Sequence, residues 1–206
     1  MTNDRTLGVI LAGGASRRFG SDKCAARLRG RPLLEWVIER AQPQVEMLLV
    51  NANNPKTGRH ASGLEFISDE IPGEGPLGGI LVALEEADRR GFAHMASFAC
   101  DTPFFPHATV AHLSDALLAN HGDVAVARCG STAHRVFALW AVTCRARLRE
   151  GFARGARSMR EAEQWLTPAW ADFPAQGGPE GDPFFNINTT ADLATAERWL
   201  SGSPHL

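Results

Sequence analysis

This 206-residue chain lacks the usual signs of a disulfide-bonded, zinc-binding or membrane-spanning protein. Its four cysteines lie far apart and form no C-x-x-C pair, so their spacing predicts reduced thiols. Its seven histidines show no close ligand spacing, which argues against a structural zinc site. No apolar run is long enough to span a bilayer, and residues 1–5 do not resemble the start of a signal segment. We therefore expect a cytoplasmic protein with no membrane partner.

A dominant charge is also lacking. The formal net charge is -2, which predicts no basic surface for nucleic acid. Lysine is scarce, since Lys23 and Lys56 are the two lysines among 21 basic residues. An ammonium is a compact point charge, whereas a guanidinium is a wide planar fork. The presence of Lys23 in a glycine-rich loop therefore favours a tight anion pocket.

Two familiar phosphate-binding motifs fail when they are tested. The P-loop pattern G-x-x-x-x-G-K-S/T is absent from the first loop, because Ser21 follows Gly20. The dinucleotide pattern G-x-G-x-x-G occurs at residues 73–78, but it does not open the first βα unit. Pro72 and Pro76 also remove two backbone donors there. We interpret this stretch as a shaped loop, with an oxidoreductase as a minor alternative.

The chain does contain a clear alternation of strand and helix patterns. The predicted strands are Leu7–Ala12, Met47–Ala52, Leu64–Ser68, His94–Cys100 and Val124–Arg128. The predicted helices are Pro32–Arg40, Gly79–Arg90 and Thr109–Asn120. This order predicts an α/β sandwich of three layers, with a mostly parallel sheet covered by helices. No repeat or break in composition divides the chain, so we expect one domain over residues 1–206.

The last third is less regular. A strand is predicted within His134–Thr143, and an arginine-rich amphipathic stretch follows, broken by Gly151 and Gly155. Residues 175–183 are predicted to be a loop. Asn186 and Asn188 are then predicted to alternate on a strand before a closing helix that runs from about residue 191 to residue 200.

Three polar segments follow predicted strands: residues 11–26, 51–54 and 100–103. Ligands of parallel sheets collect beyond the carboxyl ends of the strands, so these segments are expected to meet there. In the first segment, Gly13 and Gly14 allow close backbone approach to an anion. Arg17, Arg18 and Lys23 add positive charge, so the loop is predicted to hold a polyanion.

The pattern L-A-G-G-x-S-x-R-x-G-x-D-K at residues 11–23 closely resembles the signature of the molybdenum cofactor guanylyltransferases. The resemblance continues, in order, at residues 30–34, 51–53, 69, 75–79, 100–104 and 186–189. It departs from the family at Phe19, where Met is usual, at Arg135, where Pro is usual, and at Thr190, where Pro is usual. It implies a fold like that of the nucleotide-diphospho-sugar transferases, which is Rossmann-like.

The resemblance also implies an activity. GMP would be transferred from GTP to the terminal phosphate of molybdenum-molybdopterin, with release of pyrophosphate and a requirement for Mg²⁺. The implied partners are these two substrates and, transiently, molybdopterin-handling proteins and apo-molybdoenzymes. The nucleotide-binding half would be about residues 1–105 and the acceptor half about residues 106–206. Alternatives are a cytidylyltransferase or sugar-phosphate nucleotidyltransferase of the same fold, or a non-catalytic cofactor-delivery module.

The candidate residues follow from the motifs and the resemblance. The catalytic candidates are Arg18, Lys23 and Asp101. The nucleotide-binding candidates are Leu11, Ala12, Gly13, Gly14, Lys23, Asn51, Asp69 and Asp101. Asp101 is the candidate Mg²⁺ ligand, because it follows a strand and Mg²⁺ prefers one or two carboxylates with phosphate oxygens; turn capping is the alternative. Asn186 and Asn188 are assigned to the acceptor side, and His134 is interpreted as structural.

Overall fold

The computed structural model describes residues 5–12, 26–53, 63–70 and 75–202. Their centre is a seven-stranded sheet. In spatial order its strands are β5 (Glu65–Ile67), β4 (Met47–Asn51), β1 (Thr6–Leu11), β6 (His94–Ala99), β8 (Thr132–Ala141), β7 (Val124–Cys129) and β9 (Pro168–Phe173). Within the described residues, β8 alone runs antiparallel to its neighbours in this sheet. The predicted mostly parallel sheet is confirmed.

Helices cover both faces of the sheet. They are α1 (Leu33–Ala41), α2 (Gly75–Arg89), α3 (Thr109–Ala119), α4 (Arg145–Ala153), α5 (Met159–Ala162) and α6 (Thr190–Gly202). Leu7, Val9 and Leu11 pack in one core with α2, α4 and α5, whereas Ile10 packs in a second core with α1 and α3. Side chains alternate between the faces of a strand, so β1 supplies both cores. The three-layer arrangement is confirmed.

A smaller layer lies at one end of the sheet. The two-residue strands β2 (Arg27–Leu28) and β3 (Arg31–Pro32) form a hairpin, and α6 packs near it. Leu28, Phe104 and Ile187 are buried together in this third core. None of the helices in the described ranges is long and apolar enough to cross a membrane.

The strand order creates a switch point at β1. From β1 the sheet extends through β4 and β5 on one side and through β6 on the other. The connections therefore diverge at the carboxyl ends of β1 and β6, where a crevice opens in sheets of this kind. The polar segments predicted to meet at this edge follow β1, β4 and β6.

Two glycine interpretations from the sequence are wrong. Gly151 does not break the amphipathic stretch but lies inside α4, where a Cβ would approach Cδ1 of Trp165 to 2.7 Å. The helix instead ends before Gly155, whose φ of +104° favours glycine. Residues 75–78, interpreted as part of a loop, form the start of α2.

The segment that carries Asn186 and Asn188 is not a strand, contrary to prediction. Instead of pairing with a neighbouring strand, the N–H groups of this segment bond to acceptors nearby. The carboxylate of Asp192 accepts from the N–H groups of Asn188 and Thr189, each at 2.8 Å, and the Thr189 hydroxyl accepts from the Asp192 N–H at 3.2 Å. This reciprocal cap starts α6 without the proline usual at position 190.

Candidate functional site

The centre of the site is a row of residues where the parallel strands end. Leu11 is in register with Asn51 on one side and with Ala99 on the other, and Asn51 is in register with Ile67. Neighbouring strands lie about 4.8 Å apart, so Asn51 and Ala99 are separated by about 10 Å across β1. The N–H of Ala12 donates to the Asn51 carbonyl at 2.8 Å, so the residue that follows β1 lies beside Asn51. Gly13, Gly14, Arg18 and Lys23 lie outside the described residues, and their roles stay predictions.

Asn51, Asn53 and Asp69 form an interlocked group, which we call the Asn51 cluster. Asn51 is 2% exposed, and its carboxamide donates to Oδ1 of Asp69 at 2.9 Å. Asn53 donates to Oδ2 of the same carboxylate at 2.7 Å and accepts from the Asp69 backbone N–H at 2.9 Å. Asp69 therefore orients both carboxamides. Asn53 was not among the candidate residues, and its bonds to Asp69 show it joining the ends of β4 and β5.

Gly79, in α2, packs directly against the Asn51 side chain. A Cβ at this position would collide with Oδ1 of Asn51 and lie 3.1 Å from Cδ2 of Leu11. The start of α2 can therefore pack directly against the Asn51 side chain because residue 79 has none. Leu11 is buried in the core, and it is the last residue of β1, so its backbone lies at the edge where the parallel strands end. The glycine-rich start of α2 was visible in the sequence, but its contact with Asn51 was not.

Asp101 follows β6 and is joined to the acceptor-side candidate Asn186. The Asp101 carbonyl accepts from the Ile187 N–H at 2.9 Å, and its Oδ1 lies 3.3 Å from the Thr102 hydroxyl. The same hydroxyl donates a short hydrogen bond to Oδ1 of Asn186. Thr102 is completely buried, whereas Asp101 is half-buried and Asn186 is exposed, so the buried hydroxyl links two residues that a ligand can reach. Sequence reasoning missed Thr102, although its place next to Asp101 was a signal.

The loop that carries Asp101 is anchored by Arg40, in the last turn of α1, and by Gln44, which follows this helix. Arg40 donates to the Phe105 carbonyl at 3.1 Å, and Gln44 donates to the Pro106 carbonyl at 3.2 Å. Burial lowers the pKa of Arg40 below its ordinary value, and the nearby charge of Glu39 opposes this effect. The loop is thus held by side chains that the sequence did not single out.

A cavity of about 450 Å³ opens beside Asn186 because β6 and β8 separate. Their ladder ends at the pair of Ser97 with Ala138, where the Ser97 hydroxyl donates to the Val136 carbonyl at 2.6 Å. On the other side of β8, Val126 pairs with Ala138 but Ala127 pairs with His134, so residues 135–137 bulge from the ladder. Bulges often re-aim side chains next to active sites. Ala99, His134, Arg135, Asp182, Phe184 and Asn186 all line this space.

His134 lies in the wall of this cavity. Its ring stacks on Phe184 with centroids 4.8 Å apart, and its Nε2 lies 3.5 Å from Oδ1 of Asp182. Burial lowers the pKa of His134 below its ordinary value, and the negative charge of Asp182 opposes this effect. The guanidinium of the neighbouring Arg135 donates to the Glu163 carboxylate at 2.7 Å.

Three further observations concern predicted sites. Asn188 is half-buried and is not among the residues that line the cavity, so the structure places it apart from Asn186 in this respect. The described cysteines, at positions 100, 129 and 144, are free, and burial raises the pKa of Cys144 to about 12. No group of three His, Cys, Asp or Glu side chains in the described ranges could hold a metal by itself.

Comparison with known sequences gives strong matches. The family model described as the MobA-like NTP transferase domain matches residues 8–168. A molybdenum cofactor guanylyltransferase of Rhizobium meliloti (strain 1021) is 40% identical over 199 residues, which cover 93% of this chain and 90% of the relative. One from Bradyrhizobium sp. (strain ORS 278) is 39% identical over 211 residues, which cover 96% of each chain. The resemblance inferred from the motifs is confirmed.

Solved structures also match. Molybdopterin-guanine dinucleotide biosynthesis protein A from Archaeoglobus fulgidus superposes with a TM-score of 0.75 at 27% identity, covering 96% of this chain and 100% of that chain. A CMP:2-keto-3-deoxy-manno-octonic acid synthetase complexed with CTP superposes with a TM-score of 0.73 at 14% identity, covering 96% and 99%. The second likeness shows the fold alone. The expected nucleotidyltransferase fold is confirmed.

Proposed function

The chain belongs to the MobA-like NTP transferase family, and from this premise we propose that it transfers GMP from GTP to the terminal phosphate of molybdenum-molybdopterin, releasing pyrophosphate. One observation supports the proposal most directly. The Asn51 cluster and the Asp101–Thr102–Asn186 junction lie at the same edge of the sheet, on either side of the end of β1. A donor nucleotide and an acceptor phosphate can therefore be held side by side.

The reaction needs positioning more than covalent chemistry by the protein. The acceptor phosphate oxygen attacks the α-phosphorus of GTP, and the bond to the β-phosphate oxygen breaks. Asn51, held by Asp69, is proposed to bind guanine through its carboxamide, together with Leu11 and the Gly13 backbone. Holding both reactants in line replaces a bimolecular encounter by an intramolecular step.

Asp101 is the residue that we propose to hold Mg²⁺. This ion binds one or two carboxylates together with phosphate oxygens and water, so a carboxylate at the sheet edge fits it when the triphosphate supplies further oxygens. The chemistry that Mg²⁺ supplies when bound is neutralisation of phosphate charge. The main-chain bond between Asp101 and Ile187 fixes the position of the carboxylate-bearing residue.

The remaining assignments are also proposals. Gly13 and Gly14 are proposed to contact the phosphates with their backbone, and Arg18 and Lys23 to add positive charge there. Asn186, with Asn188, is proposed for the acceptor side. We assign the nucleotide to about residues 1–105 and the acceptor to about residues 106–206. We propose the cytoplasm, where GTP is supplied, as the place of the reaction, with transient contacts to molybdopterin-handling proteins and apo-molybdoenzymes.

A panel of nucleotides with molybdopterin as acceptor tests this function. Release of pyrophosphate is measured with GTP, CTP and ATP at equal concentration. We expect GTP to react far faster than the others, because polar groups that pair with guanine are left unpaired by another base. Equal rates with CTP would favour the cytidylyltransferase. Binding of the acceptor with no pyrophosphate from any nucleotide would favour a delivery module.

A further inference from the structure

The cavity between β6 and β8 contains a pair of polar side chains that the proposed reaction does not yet use. His134 and Asp182 face each other there, with Asn186 in the same lining. A volume of about 450 Å³ falls within the range of small-molecule pockets. This space adjoins Asp101, because Asn186 is bonded to the Thr102 hydroxyl, which lies 3.3 Å from Oδ1 of Asp101. Whatever occupies it lies next to the reacting groups.

The His134–Asp182 pair is held by its neighbours and is incompletely bonded. Nε2 of His134 is buried and has no hydrogen-bond partner within the part of the chain that the structure describes. Oδ1 of Asp182 accepts from the Phe184 N–H at 2.8 Å, which fixes the carboxylate. Phe184 is held in turn by Phe137, at a centroid distance of 4.9 Å, and by Phe173, at 5.0 Å. A buried polar atom without a partner is costly unless a ligand bonds to it.

The charge of the pair indicates which part of a ligand it fits. Asp182 forms no ion pair with an arginine or lysine among the described residues. The arginine in the same lining, Arg135, is bonded to Glu163. A carboxylate in this setting repels phosphate and accepts hydrogen bonds from N–H groups. The stacked rings of His134 and Phe184 also offer a flat wall. The ligand portion is therefore flat, uncharged and rich in N–H donors.

We propose that His134 and Asp182 determine which acceptor the protein uses. They bind the N–H-bearing edge of the acceptor's bicyclic ring, and the acceptor's phosphate is directed toward Asn186 and Asp101. The inference rests on the proposed function, because that function supplies a pterin acceptor. Asp182 accepts from the 2-amino group and the adjacent ring N–H, and the His134 ring bonds to the same edge through Nε2. The acceptor then enters the cavity ring first.

Binding of two free rings tests this orientation without any transfer reaction. Pterin carries a 2-amino group, whereas 2,4-dioxopteridine carries an oxygen at that position. Fluorescence titration of the wild-type protein is expected to show at least tenfold tighter binding of pterin, because the oxygen faces a carboxylate. In Asp182→Asn the preference is expected to disappear, because the new amide can donate to that oxygen while its Oδ1 still accepts from Phe184.

Two further variants complete the experiment. Asp172→Asn removes an equal charge from an exposed carboxylate on β9 that is bonded to Arg128, and it is expected to keep the wild-type preference. His134→Gln is expected to weaken pterin binding at least threefold while leaving GTP binding unchanged. The proposal is overturned if the wild-type protein does not distinguish the rings, or if Asp182→Asn keeps the preference. Since ring binding needs no GTP, failure of the guanylyl transfer itself would be seen separately in the nucleotide panel.

Discussion

The two sides of the sheet edge are built in opposite ways. On the β4–β5 side, the polar groups of the Asn51 cluster bond to one another, and Asn51 itself is buried. On the β6–β8 side, the strands separate around a cavity, and Nε2 of His134 is left without a partner among the described residues. One side is a preformed polar surface, and the other is a space that a ligand completes.

The difference shows how one edge can hold two unlike substrates. A base is selected by donors and acceptors whose orientation is fixed before binding, since fixed dipoles need no reorganisation. A bulky ring needs volume, which the bulge at residues 135–137 and the early end of the β6–β8 ladder supply. Asp101 and Thr102 lie at the boundary between the two sides.

The largest effect is expected for Asp101→Asn, which removes charge at this boundary. We expect kcat to fall roughly 100-fold or more, because one carboxylate is assigned to Mg²⁺ and the phosphates. The fold is expected to persist, since the Ile187 bond uses the Asp101 carbonyl and the new side chain keeps Oδ1. Thermal melting checks the fold, and pyrophosphate release checks the rate. Near-normal turnover by the folded variant would remove the metal assignment.

Asn51→Ala is expected to affect the nucleotide side next most strongly. The loss of a fixed carboxamide should raise the KM for GTP about 10- to 100-fold, because a mispaired buried polar group costs about 1–3 kcal/mol. Asn53→Ala is the matched control, since Asn53 bonds to the same carboxylate but is assigned no base contact. Its KM for GTP should change less than Asn51→Ala does. Equal changes in both variants would mean that the cluster matters only as a scaffold.

Gly79→Ala tests whether the Asn51 side chain must keep its present position. The new Cβ would displace Oδ1 of Asn51, so we expect the KM for GTP to rise roughly tenfold, and overpacking to cost about 1–3 kcal/mol of stability. Alanine favours a helix over glycine by about 1 kcal/mol, so helix propensity cannot explain a loss. Gly202→Ala, at a helical site with open space, serves as control. Unchanged GTP kinetics in Gly79→Ala would show that Asn51 can shift without consequence.

The smallest effect is expected for Thr102→Val, which keeps the buried shape and removes the hydroxyl that orients Asn186. Loss of one neutral hydrogen bond, about 0.5–1.5 kcal/mol, should raise the KM for molybdopterin about two- to tenfold and leave the KM for GTP in place. Thr102→Ser should restore the wild-type value. If the GTP KM rises instead, Thr102 acts on the nucleotide side, and the boundary between the two sides must be redrawn.

Much of the nucleotide side could be predicted from the sequence. The strand patterns and the rule for parallel sheets brought Asn51 and Asp101 to one edge, because their segments come at the ends of two parallel strands, whereas Asp69 was assigned from the family resemblance. The contact between Gly79 and Asn51 could not be predicted, since it joins elements through packing. The same holds for the Thr102 bond to Asn186, which spans 84 positions of the chain.

The acceptor side was less predictable for physical reasons. A bulge changes the pairing of a strand without breaking its apolar pattern, so residues 135–137 read as ordinary strand. Strand β9 begins with Pro168 and contains Asp172, residues that suit an edge strand but weaken a strand signal. His134 was interpreted as structural because only tertiary structure places Asp182 beside it.

Amide hydrogen exchange with each substrate alone tests the division of the edge most directly, since it needs no substitution. GTP with Mg²⁺ is predicted to slow exchange in the described segments 47–53 and 63–70 and to leave 130–137 and 182–187 near their unliganded rates. Molybdopterin alone is predicted to do the reverse. Protection of the cavity segments by GTP, with no protection around Asn51, would contradict the account.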